Sequence, residues 1–371
     1  MERQPFITRE LSIALDLVRG LAALIVMIGH AMQLGFYTGP GQFPGTVQHQ
    51  AVVVFFVLSG LVIAHSTRGR SEGLSQFALA RISRIVPTAW LALAVSALAY
   101  AIAGSLGGPP VPQPADNAAF SLTGAVLSAL FLSEGWIGTG PVWNPPYWSL
   151  CYEMWYYALF AAWTFAPPRQ RWLWVLPLAV LAGPKILLLM PAWLIGAWLA
   201  GWHETQAQSL TTAAFRIVAG AELVVLVGLD PYFSSAVFRH FFGTDFGTME
   251  FSSYPISDLV TGLGVAFVFI GLRRVTEAFS APVLASARPA RFMADMSFVL
   301  YVLHWPLLCL MLALGWSAGD QPALLIAAAA GLITLSHFTA KAIDSRRAGL
   351  RKWLEALVDK AARRRRPALS A

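Results

Sequence analysis

The stretch LDLVRGLAALIVMIGH, residues 15–30, is apolar enough for a membrane, yet it carries Asp16, Arg19 and His30. An ionisable group at membrane depth costs roughly 2.5–3.5 kcal/mol on insertion scales, so it pairs, faces a cavity or performs chemistry. Arg19 and His30 are eleven residues apart, which on an α-helix puts them within about 20° of one face and about 16 Å apart along the axis. Arg19 then lies near one interface and His30 about 9 Å below the other. YWSLCYEMWYY, residues 147–157, opens a span entering from the outer side and carries Glu153, about 8 Å below the same surface. A carboxylate and an imidazole at one depth make an acid/base pair, Glu153 fixing the tautomer of His30 and stabilising the imidazolium. The same two residues would also serve as a buried pair that only locks two helices.

Toward the inner side, RISRIVP places Arg81 and Arg84 one turn before Pro87. Beside Arg19 they form a cluster suited to phosphate, which guanidinium binds bidentately; ordinary positive charge on inner loops is the plainer alternative. VVVFFVLSGLVIAH brings Ser59 and Gly60 to mid-span, where small residues let helices approach. DMSFVLYVLHWPLL aligns Ser297, Tyr301 and His304 at i, i+4 and i+7, lining a cavity or bonding between helices, with Pro306 opening the backbone beyond. SEGWIGTGPVWNPPYWS gathers Trp136, Trp143, Tyr147 and Trp148 with Asn144, either an interfacial aromatic belt or a platform on which a sugar stacks. The outer loop 230–257, with Asp230, His240, Asp245 and Glu250, is a second acceptor-side candidate.

The elements that must position these residues are spans. The 371 residues are 57% hydrophobic and 12% charged, against about 25% charged in average soluble domains, so the chain is an all-α integral membrane protein. Breaking the apolar runs at polar, Gly and Pro clusters predicts about ten transmembrane helices, near 15–36, 51–66, 86–104, 148–166, 171–184, 186–202, 210–229, 258–273, 293–315 and 322–343. The apolar stretch 121–133 is too short to span and reads as a re-entrant or surface helix.

With both termini cytoplasmic, Arg68, Arg70, Arg81, Arg84, Arg169, Arg171, Arg273, Arg274, Arg288, Arg291 and the C-terminal cluster fall inside, leaving Lys185 and Arg239 outside. The formal charge of +7 thus follows the membrane rather than nucleic acid. RRAGLRKWLEALVDKAARRRRP has Leu350, Trp353, Leu354, Leu357 and Val358 at helical spacing, which predicts a basic amphipathic tail, 346–371, on the anionic inner leaflet behind a membrane domain, 1–345. Cys151 and Cys309 have no metal-ligand or disulfide spacing and read as small core residues, so no metal is expected. No signal peptide is indicated, no internal repeat is visible, and no room is left for a further soluble domain.

In order, LDLVRGLAALIVMIGH, AVVVFFVLSGLVIAH, ARISRIVP, YWSLCYEMWYY and MSFVLYVLHWPLL cover most of the chain and resemble the membrane-bound acyltransferase-3 family of bacterial surface-polysaccharide O-acyltransferases. The resemblance implies transfer of an acyl group, commonly acetyl from cytoplasmic acetyl-CoA, to a polysaccharide or glycolipid-linked sugar across the bacterial inner membrane. It makes His30 the essential histidine, with Arg19, Arg81, Arg84 and Glu153 the remaining motif residues. The chain departs from the pattern at HQAVVV, where relatives often carry an acidic residue or glycine, and it lacks the esterase-like domain that some relatives append. A transporter or flippase using His30 and Glu153 as a proton relay is the competing class. The acceptor and the oligomeric state, a homodimer included, stay open.

Overall fold

The structure, a computed structural model, describes residues 5–68, 73–107, 111, 113–114, 117–136, 138–203, 208–229, 236, 240 and 247–364. Arg70, Arg239, Asp230, Asp245 and the last basic residues, Arg365 and Arg366, lie outside them. The described residues form α1 (Arg9–Gln33), α2 (Thr46–Thr67), α3 (Leu74–Leu106), α4 (Leu122–Ala129), α5 (Trp148–Phe165), α6 (Arg171–Leu199), α7 (Leu210–Leu229), α8 (Pro255–Ala278), α9 (Ser280–Ala285), α10 (Ala287–Ala313) and α11 (Pro322–Arg364). Helices suit this chain because backbone polar groups in hydrocarbon must be satisfied within the segment itself. The side on which α1 begins is termed the near face, and the opposite side the far face.

Among the described residues, eight helices are long and apolar enough to cross a membrane, against about ten expected, and the difference has two sources. The tyrosines, tryptophans and Glu153 of α5 dilute its apolar character. The expected fifth and sixth spans are one helical run broken at Gly183, where φ is 82°. The chain reverses there. Trp172 packs on Trp163 near the end of α5, at 5.2 Å between ring centroids. Beyond Gly183, the Ile186 carbonyl accepts from the Tyr156 hydroxyl at 3.0 Å, and Trp193 lies 5.5 Å from Phe160, so the second half runs with α5 rather than against it. At 1.5 Å per residue the halves are roughly 18 and 24 Å long, each short of the ~30 Å core.

Other boundaries also shift. α3 starts well before the expected residue 86, so Arg81, Arg84 and Pro87 all sit inside it. α11 continues unbroken from its apolar stretch to Arg364, with no helix boundary at 345. Gly349 is the weakest helix former at that junction, and one glycine costs only about 1 kcal/mol. The expected re-entrant or surface segment is the eight-residue α4. After it the chain turns inward, burying Phe131, Trp143 and Tyr147.

α2 and α10 are central: in their most apolar stretches 67% and 72% of residues are buried, against 11% in α7 and 17% in α11. Small residues set the closest approach. A side chain on Gly60 would collide with the backbone of Trp193 and Ala197, and one on Gly196 with the backbone of Val57. Neither backbone can yield as a flexible side chain would. Gly196→Val is therefore expected to lower stability by about 1–3 kcal/mol, read as a fall in the thermal midpoint of the detergent-solubilised protein. Gly349→Ala, a helical position with open space around it, should leave the midpoint level or raise it.

Candidate functional site

Seven of the residues singled out by sequence, Ser297 among them, converge on one cavity. Arg19 of α1, Arg81 and Arg84 of α3, Glu153 of α5 and Tyr301 of α10 line it, together with Ser59 of α2 and Tyr157. Its empty volume, the open solvent at its mouth included, is about 840 Å³. Arg81 donates to Ser66 Oγ at 3.2 Å and lies 5.4 Å from the Phe77 ring centroid. Glu153 Oε1 accepts from Ser59 Oγ at 2.5 Å and from the Tyr157 hydroxyl at 2.5 Å. Trp193 Nε1 in turn donates to Ser59 Oγ at 3.2 Å. These two hydroxyl donors fix the Glu153 carboxyl on the wall of the chamber that the arginines line.

The expected pairing of Glu153 with His30 does not form among the described residues. Counting down from the far surface underestimates the depth of Glu153, because the stretch before α5 is itself buried: Trp143, Pro145, Pro146 and Tyr147 all lie in the interior. α5 thus starts below the far face and delivers Glu153 to the chamber that holds Arg19.

His30 pairs instead with His304. His30 Nδ1 is 2.7 Å from His304 Nε2, and the rings are parallel with centroids 5.0 Å apart. His304 Nδ1 is 3.0 Å from the Leu300 carbonyl. A carbonyl only accepts, so in the neutral pair His304 Nδ1 carries the proton, His304 Nε2 accepts, and His30 Nδ1 donates. The lone pair of His30 is then on Nε2, outside the chain of bonds. Trp305 closes the pair edge-on, its ring centroid 4.8 Å from that of His30. Tyr301 stands between pair and chamber: its ring is 6.0 Å from that of His304, and its hydroxyl bonds Ser149 Oγ at 2.7 Å and the Pro146 carbonyl at 3.1 Å.

Trp143, Asn144, Tyr147 and Trp148 are buried rather than an open platform, while Trp136 is exposed and donates to the Val180 carbonyl at 2.6 Å. Trp143 packs edge-on against Tyr100, Tyr147 donates to the Ser128 carbonyl at 3.1 Å, and Trp148 stacks on Phe251 at 4.6 Å. Asn144, fully buried, donates to the Val302 carbonyl at 3.1 Å and to Ser96 Oγ at 3.1 Å. Pro306 explains this bond. It has no N–H for the carbonyl four residues back, and Asn144 takes the orphaned acceptor. Of the loop candidates described, Glu250 is paired with Lys185 at 2.5 Å and His240 is exposed.

One ionisable pair escaped sequence reasoning. His49 Nε2 lies 2.8 Å from Asp258 Oδ1, the carboxylate almost wholly buried. His49 stacks beside Trp148 at 6.1 Å. The residues sit at the far-face ends of α2 and α8, too distant in sequence for spacing to relate them; the available signal was an ionisable residue beside each apolar run.

Compared with known proteins, residues 12–339 match a family described as an acyltransferase domain. "Exopolysaccharide production protein ExoZ" of Rhizobium meliloti (strain 1021) is 32% identical over 128 residues, covering 34% of this chain and 37% of that protein. "Acyltransferase MdmB" of Streptomyces mycarofaciens is 30% identical over 169 residues, 42% of this chain and 41% of the relative. "Protein 2 in picA locus" of Rhizobium radiobacter is 34% identical over 173 residues, 41% of this chain and 81% of the relative. The chain thus spans about two fifths of the length of the first two relatives. No solved structure matches it.

The buried and exposed ion pairs should respond differently to removal of one partner. Asp258→Ala leaves the His49 ring without its hydrogen-bond partner in a buried setting and is expected to cost about 1–3 kcal/mol. Glu277→Ala, which breaks the exposed Arg273–Glu277 pair, should cost no more than about 1 kcal/mol. Thermal unfolding of both variants in one detergent checks the contrast.

Proposed function

The chain belongs to this acyltransferase-domain family, and from that premise we propose that it is a membrane O-acyltransferase. In this reading it moves an acyl group such as acetyl from cytoplasmic acyl-CoA to a hydroxyl of a polysaccharide or glycolipid-linked sugar on the other side. The observation that carries the reading is the division of labour along α1. Arg19 opens into a chamber lined by two further arginines, and His30, about 16 Å farther along the same helix, offers a free Nε2. The near face is then cytoplasmic, with both termini on that side of the bacterial inner membrane. The printed name of ExoZ refers to exopolysaccharide production, which favours a polysaccharide acceptor.

The guanidinium groups of Arg19, Arg81 and Arg84 bind the donor's phosphates. The pantetheine arm follows α1 outward past Tyr301, whose side chain bounds the chamber on the histidine side. His30 Nε2 takes the proton of the acceptor hydroxyl as its oxygen attacks the thioester carbonyl. The carbon–sulfur bond breaks, an ester forms, and the proton passes from the imidazolium to the departing thiolate. His304 acts as the positioning residue for His30, since its bond to the Leu300 carbonyl dictates which nitrogen is the base. Glu153, within electrostatic range of Arg19 and Arg81, orders the donor chamber and is a positioning residue for the arginines.

His30→Ala in membranes supplied with labelled acyl-CoA and surface glycan is expected to lower transfer by roughly 10²–10⁴-fold while donor binding persists. Undiminished transfer by the folded variant would remove the assignment. Glu153→Gln and Arg81→Ala should raise the KM for donor more than that for acceptor, whereas His304→Leu should act mainly on kcat. A rise confined to acceptor KM in Arg81→Ala would exclude phosphate docking at that residue.

A further inference from the structure

The chamber continues at the near face into a second cavity with an empty volume of about 1460 Å³, and the two share Arg19, Arg84 and Phe298. The second cavity adds Arg291 of α10 and Arg347 and Arg351 of α11. Three carboxylates, Asp16, Asp295 and Asp344, line the same walls, each about one turn from an arginine on its own helix. None of them closes onto a guanidinium: among the described residues Arg19, Arg84, Arg291 and Arg347 form no ion pair, and Arg351 reaches only Glu355, at 2.9 Å. Five guanidiniums against three lining carboxylates leave a positive cavity in which Arg19, Arg84, Arg291 and Arg347 stand without an ion pair among the described residues.

These cations form two layers along the path into the protein. Arg19 and Arg84 stand at the neck, common to both cavities, while Arg291, Arg347 and Arg351 border only the outer one. An acyl-CoA also carries its negative charge in two groups, the pyrophosphate that leads into the pantetheine arm and the phosphate on the ribose 3′ oxygen. With the arm threaded through the neck, the pyrophosphate meets Arg19 and Arg84, and the ribose phosphate is left in the wider outer cavity. We propose that Arg291, Arg347 and Arg351 form a subsite for the 3′-phosphate of the donor nucleotide, so that the protein selects a 3′-phosphorylated adenosine diphosphate over one with a free ribose hydroxyl.

The inference rests on the acyl-CoA reading above and deepens it. It also gives a use to the continuity of α11: an unbroken helix carries Arg347 and Arg351 against the cavity, where a tail bent onto the leaflet would take them away. The neighbouring aspartates temper the field without occupying the guanidiniums, which suits a site that must release spent carrier after each transfer.

The test is binding of CoA and of 3′-dephospho-CoA to the purified full chain in lipid nanodiscs by calorimetry, for the native protein, Arg347→Ala and Arg291→Ala. The native protein should prefer CoA by roughly tenfold or more, the scale of a lost charge-assisted contact. Each variant should bring the two ligands to within about twofold of each other by weakening CoA alone, with an unaltered thermal midpoint. Equal affinity of the native protein for both ligands would overturn the subsite, as would variants that weaken both ligands equally. Failure of the native protein to bind either ligand would overturn the acyl-CoA reading itself, a result distinct from loss of the 3′-phosphate preference alone.

Discussion

Water is missing at membrane depth, so each polar group there must find its partner within the protein. The central helices are arranged around that requirement. Glu153 takes hydroxyl donors from its own helix and from α2, and Ser59 of α2 takes the indole N–H of Trp193. Asn144 fills the acceptor that Pro306 leaves open. These bonds join α2, α5 and α6 to one another and α10 to the stretch before α5, and the bond from Trp193 to Ser59 sits where Gly60 and Gly196 let α2 and α6 come within backbone contact.

The same constraint separates two kinds of chemistry. Arginines collect where a cavity opens toward the near face, since a guanidinium keeps its charge and needs either solvent or an anion. His30 and His304 lie packed among aromatic rings, where a neutral imidazole is tolerated if its nitrogens are matched. The Leu300 carbonyl, by accepting only, propagates a single tautomer through His304 to His30. A backbone atom thereby decides which nitrogen of His30 keeps its lone pair. Tyr301, tied to Ser149 and Pro146, stands at the boundary between these regions.

Helices at the periphery obey a looser rule. α7 and α11 present apolar side chains outward, and their polar requirements are met by their own backbone. α11 can therefore extend past the membrane as one helix and carry Arg347 and Arg351 to the rim of the near-face cavity. The run α6 reverses at Gly183 because a glycine accepts φ of 82° without steric cost and because Gly135 leaves room for the turn.

What the amino-acid sequence alone determined is what local periodicity carries. Hydropathy established the all-α membrane class, and helical spacing put Arg19 and His30 on one face of α1 and Ser297, Tyr301 and His304 on one stripe of α10. Those relations lie within one helix, where 3.6 residues per turn leaves no freedom. Only the tertiary structure decided partners. His30 meets His304 rather than Glu153, Asn144 serves Val302 rather than a surface, and His49 finds Asp258 from another helix. Depth and tilt settle such pairings, and they follow from where the stretch before α5 is buried and how closely α2 and α6 approach. Neither quantity is written in the spacing of residues along one segment.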